Sequence, residues 1–145
     1  MNSKMQRFPV LLRGAWFGIN REFRRKLAET AITPVQYTVL RNLSEGAGRV
    51  LNQQKLADML STNKNNLADL LNRMEERNLV KRHENHMDNR NKKVSITKKG
   101  RKEFMLAQKH ALELQLEVLS LFSKDEQFAL LSYFSRCNEK LDELD

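Results

Sequence analysis

STNKNNLADLLNRMEERNLVKRHENHMDNRNKKVSITKKG, residues 61–100, is the stretch whose reading decides the fold. Apolar residues recur at helical spacing in its first half and nearly vanish from the loop in its second. At about 100° per residue, Leu70, Leu71 and Met74 fall within about 60° of Leu67. These four form one buried stripe. Asn65, Asp69, Asn72 and Arg73 occupy the opposite side, with Lys64 and Asn66 near its edges in the first turn. Ahead of them STN reads as a polar turn in which Asn63 caps the helix. Behind them Asn78 suits the left-handed residue that ends one. A helix over about 63–77 is predicted. LVKRHE and KKVSIT then alternate like two strands around NHMDNRN, so a basic, aromatic-free hairpin over about 80–97 follows.

The neighbouring segments are read outward from there. QQKLADML, residues 53–60, is a short helix with Leu56, Ala57 and Leu60 on one face. Upstream, Thr33, Pro34 and Gln36 have the pattern of a capping box with proline in the first turn, which starts a helix over about 34–44. Gly46 and Gly48 mark the loop after it. Apolar residues at 8, 11, 12, 15, 16, 19, 23, 27 and 32 predict an N-terminal helix over 8–32. Downstream a long helix over about 98–122 is expected. Ser123 and Glu126 are a second capping box, opening a last helix to about 143.

Two short helices joined by a tight turn and followed by a β-hairpin make a winged helix-turn-helix, so the fold class is mainly α with a small β-hairpin. In such units the second helix enters the DNA major groove. The exposed face of 63–77 is rich in amides, and Asn bonds adenine bidentately there. Lys64 and the helix N-terminus suit phosphate. Asp69 either accepts from cytosine N4 or repels phosphate. The competing reading is an ordinary amphipathic surface helix. Candidate DNA contacts on the helix are Asn63, Lys64, Asn65, Asn66, Asp69 and Arg73; Lys92 belongs with the basic wing.

Charge supports a localised anionic partner. The chain of 145 residues carries a net +8. Residues 61–104 hold twelve Lys/Arg against six Asp/Glu, whereas 105–145 hold four against eight. A solvated charged surface is the alternative. The length suits a single domain, 1–145, with a real core. Five Gly and two Pro leave little room for loops. One cysteine excludes an internal disulfide and a Cys-based zinc finger. Arg13 interrupts the apolar N-terminal patch, so no signal peptide or membrane span is expected, and the cytoplasm is the expected location. No P-loop or nucleophile elbow is present and Gly46-Ala47-Gly48 is a bare loop, so neither an enzyme nor a cofactor is expected.

The sequence resembles the MarR family of bacterial transcription regulators. LNQQKLADML, NKNNLADLLNRMEERNLVKR and HMDNRNKKVSITKKG carry the resemblance, as does the capped C-terminal LFSKDEQFALLSYF. In the third, Asp88, Arg90 and Lys93 match the family's D-x-R-x-x-R/K wing motif, followed by Thr97, Lys99 and Gly100. The resemblance implies a homodimeric winged helix-turn-helix on a pseudo-palindromic operator, usually a repressor. Residues 34–100 would be the DNA-binding part, and 1–32 with 101–145 the helical dimerisation part. It implies that Arg90 is the wing-tip arginine entering the minor groove, and that Asn65 and Asn66 sit where polar residues touch DNA. Many members release DNA on binding a small phenolic or other amphipathic ligand. Asn78 in place of glycine, Thr62 in place of an apolar residue, and Asp69 where many members carry Arg depart from the pattern.

Other residues admit two readings. Phe104, Met105, Ala107, Ala111, Leu112, Leu114, Leu116, Val118, Leu119, Leu121 and Phe122 spread over about 220° of the long helix, against the ~100° that one core covers. A partner helix would cover the excess; burial within one chain is the alternative. Arg13, Trp16, Phe17 and Tyr37, with Ile19 nearby, lie where the family's ligand pocket is commonly lined, and all but Arg13 also suit plain core packing. Cys137 reads as a small buried side chain, or as an intersubunit redox switch. His83 and His86 are poorly spaced for a metal and suit phosphate or solvent better. The rival functions are a DNA-binding protein without effector and an interaction module with a basic face.

Overall fold

The computed structural model describes residues 3–45, 50–83 and 92–144. Six α-helices and three strands follow in the order α1 (Phe8–Lys26), α2 (Pro34–Glu45), β1 (Val50–Asn52), α3 (Gln53–Met59), α4 (Lys64–Glu76), β2 (Val80–His83), β3 (Lys93–Ile96), α5 (Lys98–Leu119) and α6 (Lys124–Asp142). The chain forms two compact units, Met1–Ala111 and Leu112–Asp145, and α5 runs through the boundary between them.

Side chains chosen for the purpose set the helix ends. Thr33 and Gln36 cap α2 reciprocally, at 3.0 and 3.3 Å, as the spacing predicts. That reciprocal bond lets Gln36 sit buried at the base of the helix. Asn52 caps α3 by accepting from the amides of Gln54 and Lys55. Ser123 and Glu126 form the predicted box at α6. The N-terminal helix stops at Lys26, short of residue 32, and continues only as a 3-10 turn over Leu27–Glu29. Thr30, extended and with its hydroxyl on the Leu27 carbonyl, closes that turn.

The sheet has three strands rather than the hairpin alone, in the order β1-β3-β2, all antiparallel. Leu51 pairs with Val94, and Arg82 pairs with Val94 from the other side. β1 is missing from the sequence reading because three residues are too few to display an alternation. Its single inward residue, Leu51, is buried.

The core of the first unit is built from one face of each element. Val39, Leu40 and Leu43 come from α2, Leu56 and Ala57 from α3, and Leu67, Leu71 and Met74 from α4. Leu79, Val80 and Val94 bring in the sheet, and none of these side chains is more than 1% exposed. Truncating one such leucine to alanine typically costs about 2–5 kcal/mol. Leu70 and Leu60, read as fully inward, are only half-buried, because each lies at the rim of its stripe. Tyr37 stands between Phe23, edge-on at 5.0 Å, and Phe104, stacked at 5.4 Å. Burial raises its phenol pKa.

Candidate nucleic-acid interface

The turn between α3 and α4 is set by backbone geometry. Ser61 adopts φ 50°, its amide donates to the Asp58 carbonyl, and the Thr62 amide reaches back to Ala57. This pair of bonds is the Schellman ending of a helix, here built without glycine. Asn63 immediately opens α4, its side-chain oxygen accepting from the Asn66 amide at 2.8 Å. Two helices thus meet with four residues between their spans. The signal for Ser61 was absent from the sequence, since serine is not a favoured left-handed residue.

α4 carries the exposed face that its sequence predicts. Lys64, Asn65, Asn66, Asp69, Asn72 and Arg73 are all exposed, and Leu67, Leu71 and Met74 are buried behind them. Asn65, Asp69 and Asn72 lie on one line along the helix, three or four residues apart. Asn63 is exposed too, but its oxygen is engaged in the cap. The helix N-terminus presents free backbone amides next to Lys64, a place that favours an anion.

The far end of α4 repeats the Schellman ending. Asn78 sits at φ 59°, its amide on the Glu75 carbonyl and the Leu79 amide on that of Met74, both at 2.9 Å. Asparagine there fulfils the expectation for residue 78. The start of α5 is fastened to the same corner. Thr97 places its hydroxyl 2.6 Å from the Asn78 carbonyl oxygen and accepts the Gly100 amide at 2.9 Å. Lys99 donates to the Arg77 carbonyl at 3.1 Å.

Lys92 and Lys93 are exposed at the root of the wing, and Lys93 stands opposite both Asn52 and His83 in the sheet. Gly46, Gly48, His86, Asp88 and Arg90 lie outside the described residues. His83 shares a 2.8 Å hydrogen bond with the Ser95 hydroxyl.

One arrangement went unread in the sequence. Arg82, on β2, donates its backbone amide to Glu75 at 2.9 Å and its guanidinium to the same carboxylate at 3.2 Å. The guanidinium also donates to the side-chain oxygen of Asn72. These bonds hold the Glu75 carboxyl below its ordinary pKa, the guanidinium contact contributing most. The available clue was the strand alternation: Arg82 shares the inward side of β2 with buried Val80, and a charge there needs partners.

Residues read as ligand contacts are not alike in their settings. Arg13, Trp16 and Phe17 are exposed on α1, with Trp16 63% and Phe17 61% accessible, whereas Tyr37 is buried in the aromatic cluster. Cys137 is exposed rather than buried, because α6 contributes no buried residue at all. No group of three or more His, Cys, Asp or Glu able to hold a metal occurs among the described residues. No helix among them is long and apolar enough to cross a membrane.

The MarR family model matches residues 32–92, which run from the start of α2 to the root of β3. Solved MarR structures match far beyond that segment. AbsC, a MarR family transcriptional regulator from Streptomyces coelicolor, superposes with a TM-score of 0.84 at 21% identity, over 99% of this chain and 97% of its own. The chain is thus similar to the MarR family over residues 32–92, and it shares the MarR fold over nearly its whole length. CouR, a transcriptional repressor solved on a 23-mer DNA duplex, matches at 26% identity with a TM-score of 0.83, over 95% of this chain and 96% of its own. MepR of S. aureus, solved in complex with DNA, matches at 21% identity with a TM-score of 0.83, over 92% and 97%. None of the curated proteins matches the chain.

Proposed function

We propose that this MarR protein is a homodimeric repressor that binds a pseudo-palindromic operator and leaves it when a small amphipathic effector binds. The observation that carries the reading is α4: a capped helix behind a tight turn, with Asn65, Asp69 and Asn72 aligned on its exposed face. Asn65, Asn66 and Asp69 meet base edges. Lys64, Arg73, Lys92 and Lys93 meet phosphates, with Asn63 holding the helix start. Arg90 enters the minor groove. The DNA complexes of CouR and MepR support this placement by analogy of fold.

The dimer is supported by what one chain leaves uncovered. Phe8, Leu11, Trp16 and Phe17 on α1 and Leu116 on α5 are each more than half exposed, and on α6 Phe128 is 74% exposed. Apolar surface on that scale calls for a partner. Residues 1–32 and 101–145 form the dimerisation part, and 34–100 the DNA-binding part. Exposed Trp16 and Phe17 with Arg13 offer stacking surface and a cation to a phenolic acid, whereas Tyr37 is engaged in the core between Phe23 and Phe104. An effector moves the equilibrium only if it binds the free and DNA-bound forms with different affinity.

Fluorescence anisotropy with a duplex from upstream of the protein's own gene, against a scrambled duplex, over a salt series, tests this. Expected is binding many-fold above the control with a steep salt dependence. Equal weak binding to both duplexes at every salt concentration would contradict operator recognition and favour an acidic protein partner for the basic face.

A further inference from the structure

We infer that Arg82 engages the amide oxygen of Asn72 and leaves its two Nδ2 donors to read the groove, so that the third turn of the recognition helix favours guanine or thymine over adenine. The inference deepens the DNA-recognition reading and rests on it.

Asn72 shares the exposed face of α4 with Asn65 and Asp69, at spacings of seven and three residues. A free asparagine there has one acceptor and two donors, and it meets adenine with one of each, at N6 and N7. Asn72 is not free in this way. Its side-chain oxygen faces the Arg82 guanidinium. The direction of this contact is forced: guanidinium has only donors, so the atom that meets it must be the amide oxygen. The two Nδ2 hydrogens are left to point elsewhere.

Arg82 in turn has little freedom to let go. Its own backbone amide and its guanidinium both bind Glu75, one turn beyond Asn72 on α4. The side chain is only 23% exposed. The strand that carries it is paired through Arg82 to Val94 in the sheet. Glu75 neutralises the guanidinium, so Arg82 is a positioning residue and Asn72 the base contact. In the major groove guanine offers O6 and N7 and thymine offers O4, all acceptors. Cytosine presents only the N4 donor and is rejected, while adenine sets its one acceptor, N7, beside the N6 donor, so the amide loses the bidentate pair there and adenine is disfavoured.

Selection from a pool of randomised duplexes, followed by sequencing, tests this on the full-length protein. Native protein, Asn72→Asp and Arg82→Met are run side by side, with thermal melts to confirm folding. The native protein is expected to enrich a two-fold site with guanine or thymine at one symmetric pair of positions, about tenfold over adenine. Asn72→Asp keeps an oxygen on Arg82 and turns an acceptor outward, so preference at that pair of positions moves to cytosine. Arg82→Met releases the amide, and adenine is admitted there. Asn72 is on the surface, so its variant remains informative even where Arg82→Met does not fold. A native site that both variants, or Asn72→Asp alone if Arg82→Met is unfolded, enrich unchanged at every position would overturn the inference and leave operator recognition standing. Enrichment of no sequence by the native protein would overturn both.

Discussion

Gly100 has no room for a side chain. A Cβ there would lie 2.0 Å from the Leu79 carbonyl oxygen and 2.9 Å from its carbon, both backbone atoms that cannot turn aside. The same carbonyl accepts the Thr97 amide at 3.1 Å, so moving it would also loosen the sheet-to-helix corner. Gly100→Ala should destabilise the protein by about 3 kcal/mol, the upper part of the usual overpacking range, read as a fall in the urea midpoint. Ser61→Gly should act the other way. It relieves a left-handed serine, and a gain of up to about 1 kcal/mol is expected in the same assay. These two residues mark a limit of legibility. Asn78 announced its conformation because asparagine tolerates it; Ser61 did not, because nothing in serine prefers it. Gly100 was visible as part of a familiar motif, but the reason for it is a contact across 21 residues of chain that only the fold brings together.

Among the elements, helices were the more legible, because each carries its own start signal. The boxes at Thr33 and Ser123 set α2 and α6 where their spacing places them. Ser123→Ala should cost roughly 1 kcal/mol, seen as a lower melting temperature. The sheet was less legible: β1 has only three residues, and its partner strand follows it by about 40 positions. The tie between α4 and β2 was unread for the same reason, being a contact between elements. Its pH dependence has a defined sign. Glu75 has a lowered pKa in the folded chain, so its contribution is complete above the ordinary glutamate value of about 4.3 and is lost as pH falls through the lower folded value. Denaturant titrations of native protein and Glu75→Gln should therefore differ at pH 7 and converge as the pH is taken well below 4.3. A difference independent of pH would remove the carboxylate from the account. Both groups are partly exposed, so the effect is expected to be small.

On the scale of the whole molecule, α6 stands out because no residue of it is buried by its own chain. Its apolar side chains include Phe128, Leu131, Tyr133 and Phe134, each at least 40% exposed. Sedimentation equilibrium should give twice the mass of one chain, and Phe128→Asp should shift the protein towards monomer and weaken operator binding by about tenfold or more, since each half-site then binds alone. Unchanged mass in the variant would place Phe128 outside the interface. Sequence periodicity gave the long helix after the hairpin an apolar arc wider than one core covers, but a pattern within one chain does not identify what covers it. The corner of Thr97, Lys99 and Gly100 has one more consequence. It bolts the trailing end of α4 to the leading end of α5 at the carbonyls of Arg77, Asn78 and Leu79. The two helices are therefore a crank, with no free joint at their elbow. The arm within the first unit, 98–111, has 14 residues, so it is about 21 Å from end to end. A swing of about 5° at one end of such an arm is a travel of about 2 Å at the other, and that is more than half the length of a hydrogen bond.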